Sequence, residues 1–350
     1  MLLLRRRPAL AAAALAFALV GCSSDTNDDA SGADTSSGED AATDAAETDA
    51  AGEDTGSDSG SESDGGETGD TSDSGAIDPS EWPSDPFPSG EIGGDRPARV
   101  VLPSDYAPDR AWPVVTLLHG FTASALVQDV YFGVSPLADE LGVIVVLPDG
   151  TENSQGAQFW NATEWCCDFE RTGVDDAGYL MGLLDEVEAA VPVDTSRVVF
   201  IGHSNGGFMS YRLACDHADR VTGIVSLAGL EFLDAARCDP SDPVSVLQIH
   251  GTNDETVAFD DDPLLPSAPD TAARWVERNG CEGEPDTGEI DFQNDLPGAE
   301  TTTETWSNCD GGTGVGLWVI ENGSHIPGVS DGAIRTALEF ALSRPRAAAE

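Results

Sequence analysis

The chain has 350 residues and sets 64 Asp and Glu against 16 Arg, with no Lys at all, for a formal charge of −48. So negative a chain repels phosphate backbones and anionic headgroups, which excludes a nucleic-acid binder and a polybasic membrane-surface protein. The charge is unevenly spread: residues 1–22 hold three Arg and no acid, residues 23–80 hold 18 acids and no base, and only the remainder has the apolar runs, Trp and Cys of a folded domain.

Taken in chain order, the first segment reads as an address. Arg5, Arg6 and Arg7 precede an uncharged apolar stretch from Ala9 to Val20. About a dozen apolar residues are too few for a spanning helix, which needs about 20, and the flanks are those of a signal peptide. The closing Leu19-Val20-Gly21-Cys22 resembles a bacterial lipobox, which implies cleavage before Cys22 and lipidation of its thiol. The mature protein is then exported, touches the membrane only through that lipid anchor, and keeps its other six cysteines where disulfides persist.

Residues 23–80 form an acidic Ser/Asp/Gly-rich linker. Without aromatics or branched aliphatics in most of its length it cannot offset the entropy of ordering, so disorder is expected. Its Asp-Ser-Gly runs, such as Ser57-Asp58-Ser59-Gly60, fit neither an EF-hand loop nor a nonapeptide calcium repeat. A neutral coil of this length would reach roughly 40 Å; charge repulsion extends it and lifts the following domain off a surface.

From about Asp95 to 345 the pattern becomes that of one domain. Val114–Leu118, Val143–Leu147, Val198–Ile201, Val221–Leu227 and Val244–Ile249 are near-continuous apolar stretches of strand length, as in a parallel sheet buried on both faces. Helix-period segments lie between and after them: Asp176–Ala190, Asn205–His217, Pro269–Asn279 and Asp331–Leu342. This alternation predicts an α/β sandwich, a mostly parallel sheet with helices on both faces.

Functional residues of such sheets sit in loops at the carboxyl ends of strands. Four such loops are polar or glycine-rich: His119-Gly120-Phe121, Gly202-His203-Ser204-Asn205-Gly206, His250-Gly251-Thr252-Asn253-Asp254 and, after a late strand Leu317–Ile320, Glu321-Asn322-Gly323-Ser324-His325. The second fits the G-x-S-x-G nucleophile elbow, between an apolar strand and an amphipathic helix, where its chemistry requires it. Ser204 is therefore the candidate nucleophile. In this order of elements an acid and then a histidine follow the serine. Of the five histidines only His325 lies beyond the candidate acid Asp254, and an unperturbed imidazole, at about 6.5, suits proton exchange with a serine. Glu255 is Asp254's neighbour; Asp260, Asp261 and Asp262 read as solvated turn residues before Pro263. The oxyanion donors are placed by position at the backbone N–H groups of Phe121 and Asn205, where side-chain identity matters little. Asp175-Asp176 reads as an acid-rich helix start, favoured by the helix dipole.

These pieces resemble the serine esterases of the polyhydroxybutyrate depolymerase and feruloyl esterase group within the α/β-hydrolase fold. The resemblance rests on Leu118-His119-Gly120, Leu147-Pro148-Asp149-Gly150, Trp160-Asn161 followed by Cys166-Cys167, Val174-Asp175-Asp176, the elbow, His250 to Asp254, and Gly323-Ser324-His325-Ile326-Pro327-Gly328. It implies Ser204 as nucleophile, Asp254 as acid, His325 as base, and Phe121 and Asn205 as oxyanion donors, with no cofactor. Ile326 stands where many relatives carry Trp. Cysteines 166, 167, 215, 238, 281 and 309 are disulfide candidates, and resemblance pairs Cys281 with Cys309 and sends Cys166 and Cys167 separately to Cys215 and Cys238. No metal site is expected, since adjacent cysteines are not a C-x-x-C pair, and nothing near Cys166 in sequence offers a base for a catalytic thiol. The expected activity is that of an exported serine carboxylic-ester hydrolase, polyhydroxybutyrate depolymerase-like. The alternatives are a feruloyl or acetylxylan esterase acting on plant polysaccharide and a non-catalytic surface-binding lipoprotein.

Overall fold

The computed structural model describes residues 83, 85–260 and 262–347; the expected signal segment 1–22 with Cys22, the linker 23–80 and Asp261 lie outside them. Twelve strands and six α-helices follow one another as β1 (Glu91–Ile92), β2 (Ala98–Val101), β3 (Trp112–Leu118), α1 (Ala125–Phe132), α2 (Val134–Leu141), β4 (Ile144–Pro148), β5 (Thr151–Glu152), β6 (Gln158–Phe159), α3 (Asp176–Ala190), β7 (Val193–His203), α4 (Asn205–Asp216), β8 (Gly223–Leu227), β9 (Ser245–Gly251), α5 (Ala268–Arg278), β10 (Asp286–Ile290), β11 (Thr301–Trp306), β12 (Val315–Ile320) and α6 (Ala333–Leu342). Ten strands share one sheet in the order β1-β2-β4-β3-β7-β8-β9-β12-β11-β10. From β4 to β12 neighbouring strands run parallel, and both outer pairs are antiparallel additions. The folded body starts ahead of the expected Asp95 boundary, since β1 already pairs with β2.

Side-chain alternation splits the core in two. Val114 and Leu118 of β3, Val198 and Phe200 of β7 and Val246 of β9 face one way, onto Leu180 and Leu184 of α3, Phe208 and Tyr211 of α4 and Trp275 of α5. Val115, Leu117, Val199, Ile201 and Leu247 face the other way, onto Phe132 of α1, Leu137 of α2 and Leu338 of α6. Successive residues of a strand point to opposite faces, so a strand covered on both sides must be apolar throughout. That is why the five central strands were readable. Helix α3 matches its expected bounds, and the others shift by a residue or two at the ends.

Helices α1 and α2 and the outer strands β1, β2, β10 and β11 were not anticipated. The two helices are eight residues each, divided by Gly133 at φ 66°, a left-handed turn that glycine adopts without cost. Among the described residues no helix is long and apolar enough to cross a membrane.

Candidate active site

Ser204 stands at the junction of β7 and α4 with φ 52° and ψ −119°, a left-handed conformation that side chains with a Cβ rarely adopt. The surrounding sequence makes it tenable. A methyl group on Gly202 would run into the Gly206 backbone, and one on Gly206 into the Leu118 carbonyl, so β3, β7 and α4 close in only around glycines. The Ser204 N–H donates to the Leu227 carbonyl at 2.8 Å, fastening the turn to β8.

The structure brings Ser204, His325 and Asp254 together from three loops. His325 Nε2 lies 2.9 Å from Ser204 Oγ, and His325 Nδ1 lies 2.7 Å from Asp254 Oδ2. Asp254 is buried, and its Oδ1 accepts the N–H groups of Thr256 and Val257, each at 2.8 Å. Burial alone would push its carboxyl up, but hydrogen bonds from His250, His325 and Val257 outweigh that and hold it well below the usual carboxylate range. An ionised Asp254 fixes Nδ1 as the protonated nitrogen of a neutral His325, which leaves Nε2 able to accept the serine proton.

The other histidines have structural places. His203 is buried beneath His325, its ring centroid 5.0 Å away, and its Nε2–H donates to the His325 carbonyl at 2.8 Å. Burial lowers its pKa to about 3, so it stays neutral and holds the histidine loop by its backbone. His119 is buried against Trp160; its Nε2 accepts the Gly150 N–H at 2.7 Å and its Nδ1–H donates to the Gly120 carbonyl at 2.8 Å. His217 ends α4.

Among the described residues, neither the Phe121 nor the Asn205 amide is engaged by a backbone or side-chain acceptor, while the neighbouring Gly120 N–H donates to Gln128 Oε1 of α1 at 3.2 Å. The Asn205 side chain was expected to matter little. It is fully buried and reciprocates with Trp160, accepting its N–H at 2.7 Å and donating to its carbonyl at 2.9 Å. Its Nδ2 also faces Cys166 Sγ at 3.4 Å, so this one amide ties the start of α4 to the 160–167 segment.

The cysteine pairing differs from expectation. Cys281 joins Cys309 as expected, but Cys166 and Cys167 join each other, and Cys215 joins Cys238. Cys215 at the end of α4 and Cys238 after a 3-10 turn approach to a Cα separation of 4.8 Å, within bridging reach of one another. Cys166 and Cys167 instead face the cleft in front of Ser204. This cleft, of about 330 Å³, is walled by Phe121, Trp165, the Cys166–Cys167 disulfide, Phe169, Phe208, Val257, Leu264 and Leu265, with Thr256 and Asp262 as its polar margin. Trp165 and Phe169 remain 46% and 66% exposed at its rim, and Ile326 is 53% exposed beside His325. Asp175 caps α3 as expected, accepting the Gly178 N–H, whereas Asp176 is buried and takes up Arg96, Thr151 and Asn161. Sequence reasoning missed the cleft walls and the brace beside Asp254. One signal for the brace was present: Gln248 and His250 are polar residues two apart, on one face of an otherwise apolar strand.

Residues 89–258 match the esterase family whose description reads "Putative esterase". The chain is 29% identical over 241 residues to feruloyl esterase B of Piromyces equi, covering 65% of this chain and 42% of that protein. It is 26% identical over 250 residues to feruloyl esterase D of Neurospora crassa, covering 68% and 77%. A bifunctional acetylxylan esterase/xylanase of Neocallimastix patriciarum is 24% identical, over 69% of this chain and 32% of that protein. The chain thus spans less than half the length of the Piromyces and Neocallimastix relatives. Among solved structures, the acetyl xylan esterase from Aspergillus awamori superposes with a TM-score of 0.55 at 14% identity, over 72% of this chain and 98% of the other, a likeness of fold.

Proposed function

Starting from a chain that belongs with the α/β-hydrolase esterases, we propose that it is an exported serine carboxylic-ester hydrolase acting on feruloyl or acetyl esters of plant polysaccharide. The observation that carries this reading is the unbroken hydrogen-bonded line from Ser204 through His325 to Asp254 at the foot of an apolar cleft. His325 Nε2 takes the proton of Ser204 Oγ as that oxygen attacks the ester carbonyl, and Asp254 stabilises the imidazolium that forms. The Phe121 and Asn205 amides receive the oxyanion, an interaction worth about 3 to 4 kcal/mol per donor in comparable sites. Collapse expels the alcohol, protonated from His325, and a water activated at the same nitrogen then releases the acid.

The names of the curated relatives support polysaccharide esters better than a polyhydroxybutyrate depolymerase-like activity, which is kept as the second reading because the cleft wall is apolar and, among the described residues, lacks arginine. Both substrates are neutral, as suits so acidic a protein. A panel of feruloylated arabinoxylan, acetylated xylan and polyhydroxybutyrate granules separates them: release of ferulate or acetate is expected, and turnover of the granules alone would replace the first reading by the second. Ser204→Ala should lower kcat by roughly 10⁴-fold or more; parent-like turnover by that variant would end the serine mechanism. A folded protein that takes no fluorophosphonate label and cleaves no ester would instead be a binding lipoprotein.

Export rests on the reading of residues 1–22 and agrees with three disulfides in the described residues, which persist in oxidising compartments. Lipid anchoring at Cys22 predicts that Cys22→Ala moves the protein from the membrane fraction into the medium. Equal retention of both proteins on membranes would remove the anchor from the proposal.

A further inference from the structure

Beside Asp254 lies a chain of buried polar groups that the ester chemistry does not itself require. Tyr211, Gln248 and His250 are each fully buried, on α4 and β9. Tyr211 Oη donates to Gln248 Oε1 at 2.7 Å. Gln248 Nε2 lies 3.0 Å from His250 Nδ1. His250 Nε2 lies 2.9 Å from the Val257 carbonyl and 3.3 Å from Asp254 Oδ2, while Phe259 packs edge-on against its ring.

For a neutral imidazole the donor and acceptor directions are forced. Nε2 faces a carbonyl and a carboxylate, both acceptors only, so it must carry the proton. Nδ1 is then a bare acceptor and requires the amide NH₂ of Gln248 opposite it. The Gln248 carbonyl is thereby turned toward Tyr211, whose hydroxyl burial keeps protonated by raising its pKa well above the usual range. Every group in the line has one role, and reversing any of them leaves two acceptors in contact inside the core, which is costly.

We propose that His250, held in one tautomer by Gln248 and Tyr211, is a positioning residue for the Asp254 carboxylate and through it for His325. It acts at two points. Its N–H edge faces the same Oδ2 that meets His325, and it grips the carbonyl of Val257, whose own N–H is bound to Asp254 Oδ1 at 2.8 Å. The turn 254–257 is thus clamped from inside, and Asp254 cannot swing away from His325 without breaking the clamp. The proposal rests on the reading of Asp254 as the acid of the serine site.

The test uses the full chain with His250→Leu, His250→Gln, Asp254→Asn and the double variant His250→Leu/Asp254→Asn, each assayed on p-nitrophenyl butyrate after circular dichroism establishes folding. His250→Leu should lower kcat about 10- to 100-fold, the size of loss seen when the hydrogen-bond partner that orients a metal-ligating side chain is removed, with KM within about twofold of the parent. His250→Gln, whose amide can reach the Val257 carbonyl, should recover most of the loss. On the Asp254→Asn background His250→Leu should cost nothing further, because a residue acting through Asp254 has nothing left to position. Folded His250→Leu at parental kcat, or a loss fully additive with Asp254→Asn, would overturn the proposal. If His250→Leu does not fold, Tyr211→Phe replaces it: a several-fold loss of kcat at unchanged KM is expected, and parental kcat overturns the proposal. Asp254→Asn at parental kcat would remove the acid reading and the proposal together, whereas an inactive Asp254→Asn beside a fully active His250→Leu overturns the role of His250 alone.

Discussion

His203 occupies the variable position just before the candidate nucleophile, and its burial gives the protein a sensitivity to acid. A histidine whose pKa falls from 6.5 to about 3 on folding binds its proton more readily in the unfolded chain. Its contribution to stability is therefore complete above the unfolded value and is lost as pH falls from 6.5 toward 3. Asp254 also has a depressed pKa, so its contribution is present above the unfolded carboxylate value of about 3.9 and is lost only below it. Melting temperature should thus begin to fall below about pH 6.5, through His203 and through His119, whose pKa burial also lowers, well before Asp254 takes part. His203→Gln should flatten that upper segment; an unchanged profile would show that other groups set it. Ser204, His325 and Asp254 were legible because a pentapeptide, the chain order and the scarcity of histidines each restrict the choice. The side chain of Asn205 was not, because its partner Trp160 meets it only through the fold; of the His250 brace only the polar spacing with Gln248 showed, since Tyr211 reaches it from α4 across 37 residues.

At the scale of elements, the parallel strands were legible for a reason of covering. Burial on both faces gives β3, β4, β7, β8 and β9 near-continuous apolar runs of strand length. Strands β10 and β11 read Asp-Thr-Gly-Glu-Ile and Thr-Thr-Thr-Glu-Thr-Trp, and β10 is exposed along most of its length at the sheet's edge, so neither carries an apolar signal. Helix α1 leaves Leu126, Val127 and Val130 exposed and buries Gln128, which inverts the pattern by which a surface helix is recognised. The same outer region relies on a covalent tie. Cys281, just after α5, is bridged to Cys309, between β11 and β12, across a separation of 28 residues. Loop closure of that size is worth about 3 to 4 kcal/mol in the chain-entropy account. The Cys281→Ser/Cys309→Ser variant should therefore lose about 3 kcal/mol in urea titration, with fluorophosphonate labelling of Ser204 retained below its midpoint. A loss of labelling before unfolding would show that the bridge also shapes the site.

For the whole molecule, 16 arginines against 64 acids make basic side chains scarce, and among the described residues most of them are committed to ion pairs. Arg96 meets Asp176, Arg220 meets Asp185 and Glu188, Arg274 and Arg278 share the buried Glu231, and Arg110, Arg197 and Arg212 each meet an aspartate. The unpaired carboxylates repel one another, and dissolved ions screen that repulsion over about 10 Å at 0.1 M salt. Melting temperature should climb as sodium chloride is raised from low ionic strength; a flat or falling curve would mean that the ion pairs lose more to screening than the excess acids gain. Salt acts on the finished protein, but the place of synthesis acts on what the cleft is made of. The Cys166–Cys167 bridge is part of its wall and lies against Asn205, so a batch made in a reducing cytoplasm would carry two thiols where an exported batch carries a sulfur plate. Substrate preferences measured on the two preparations would describe two different pockets, and the choice of production host is therefore itself an experimental variable for this protein.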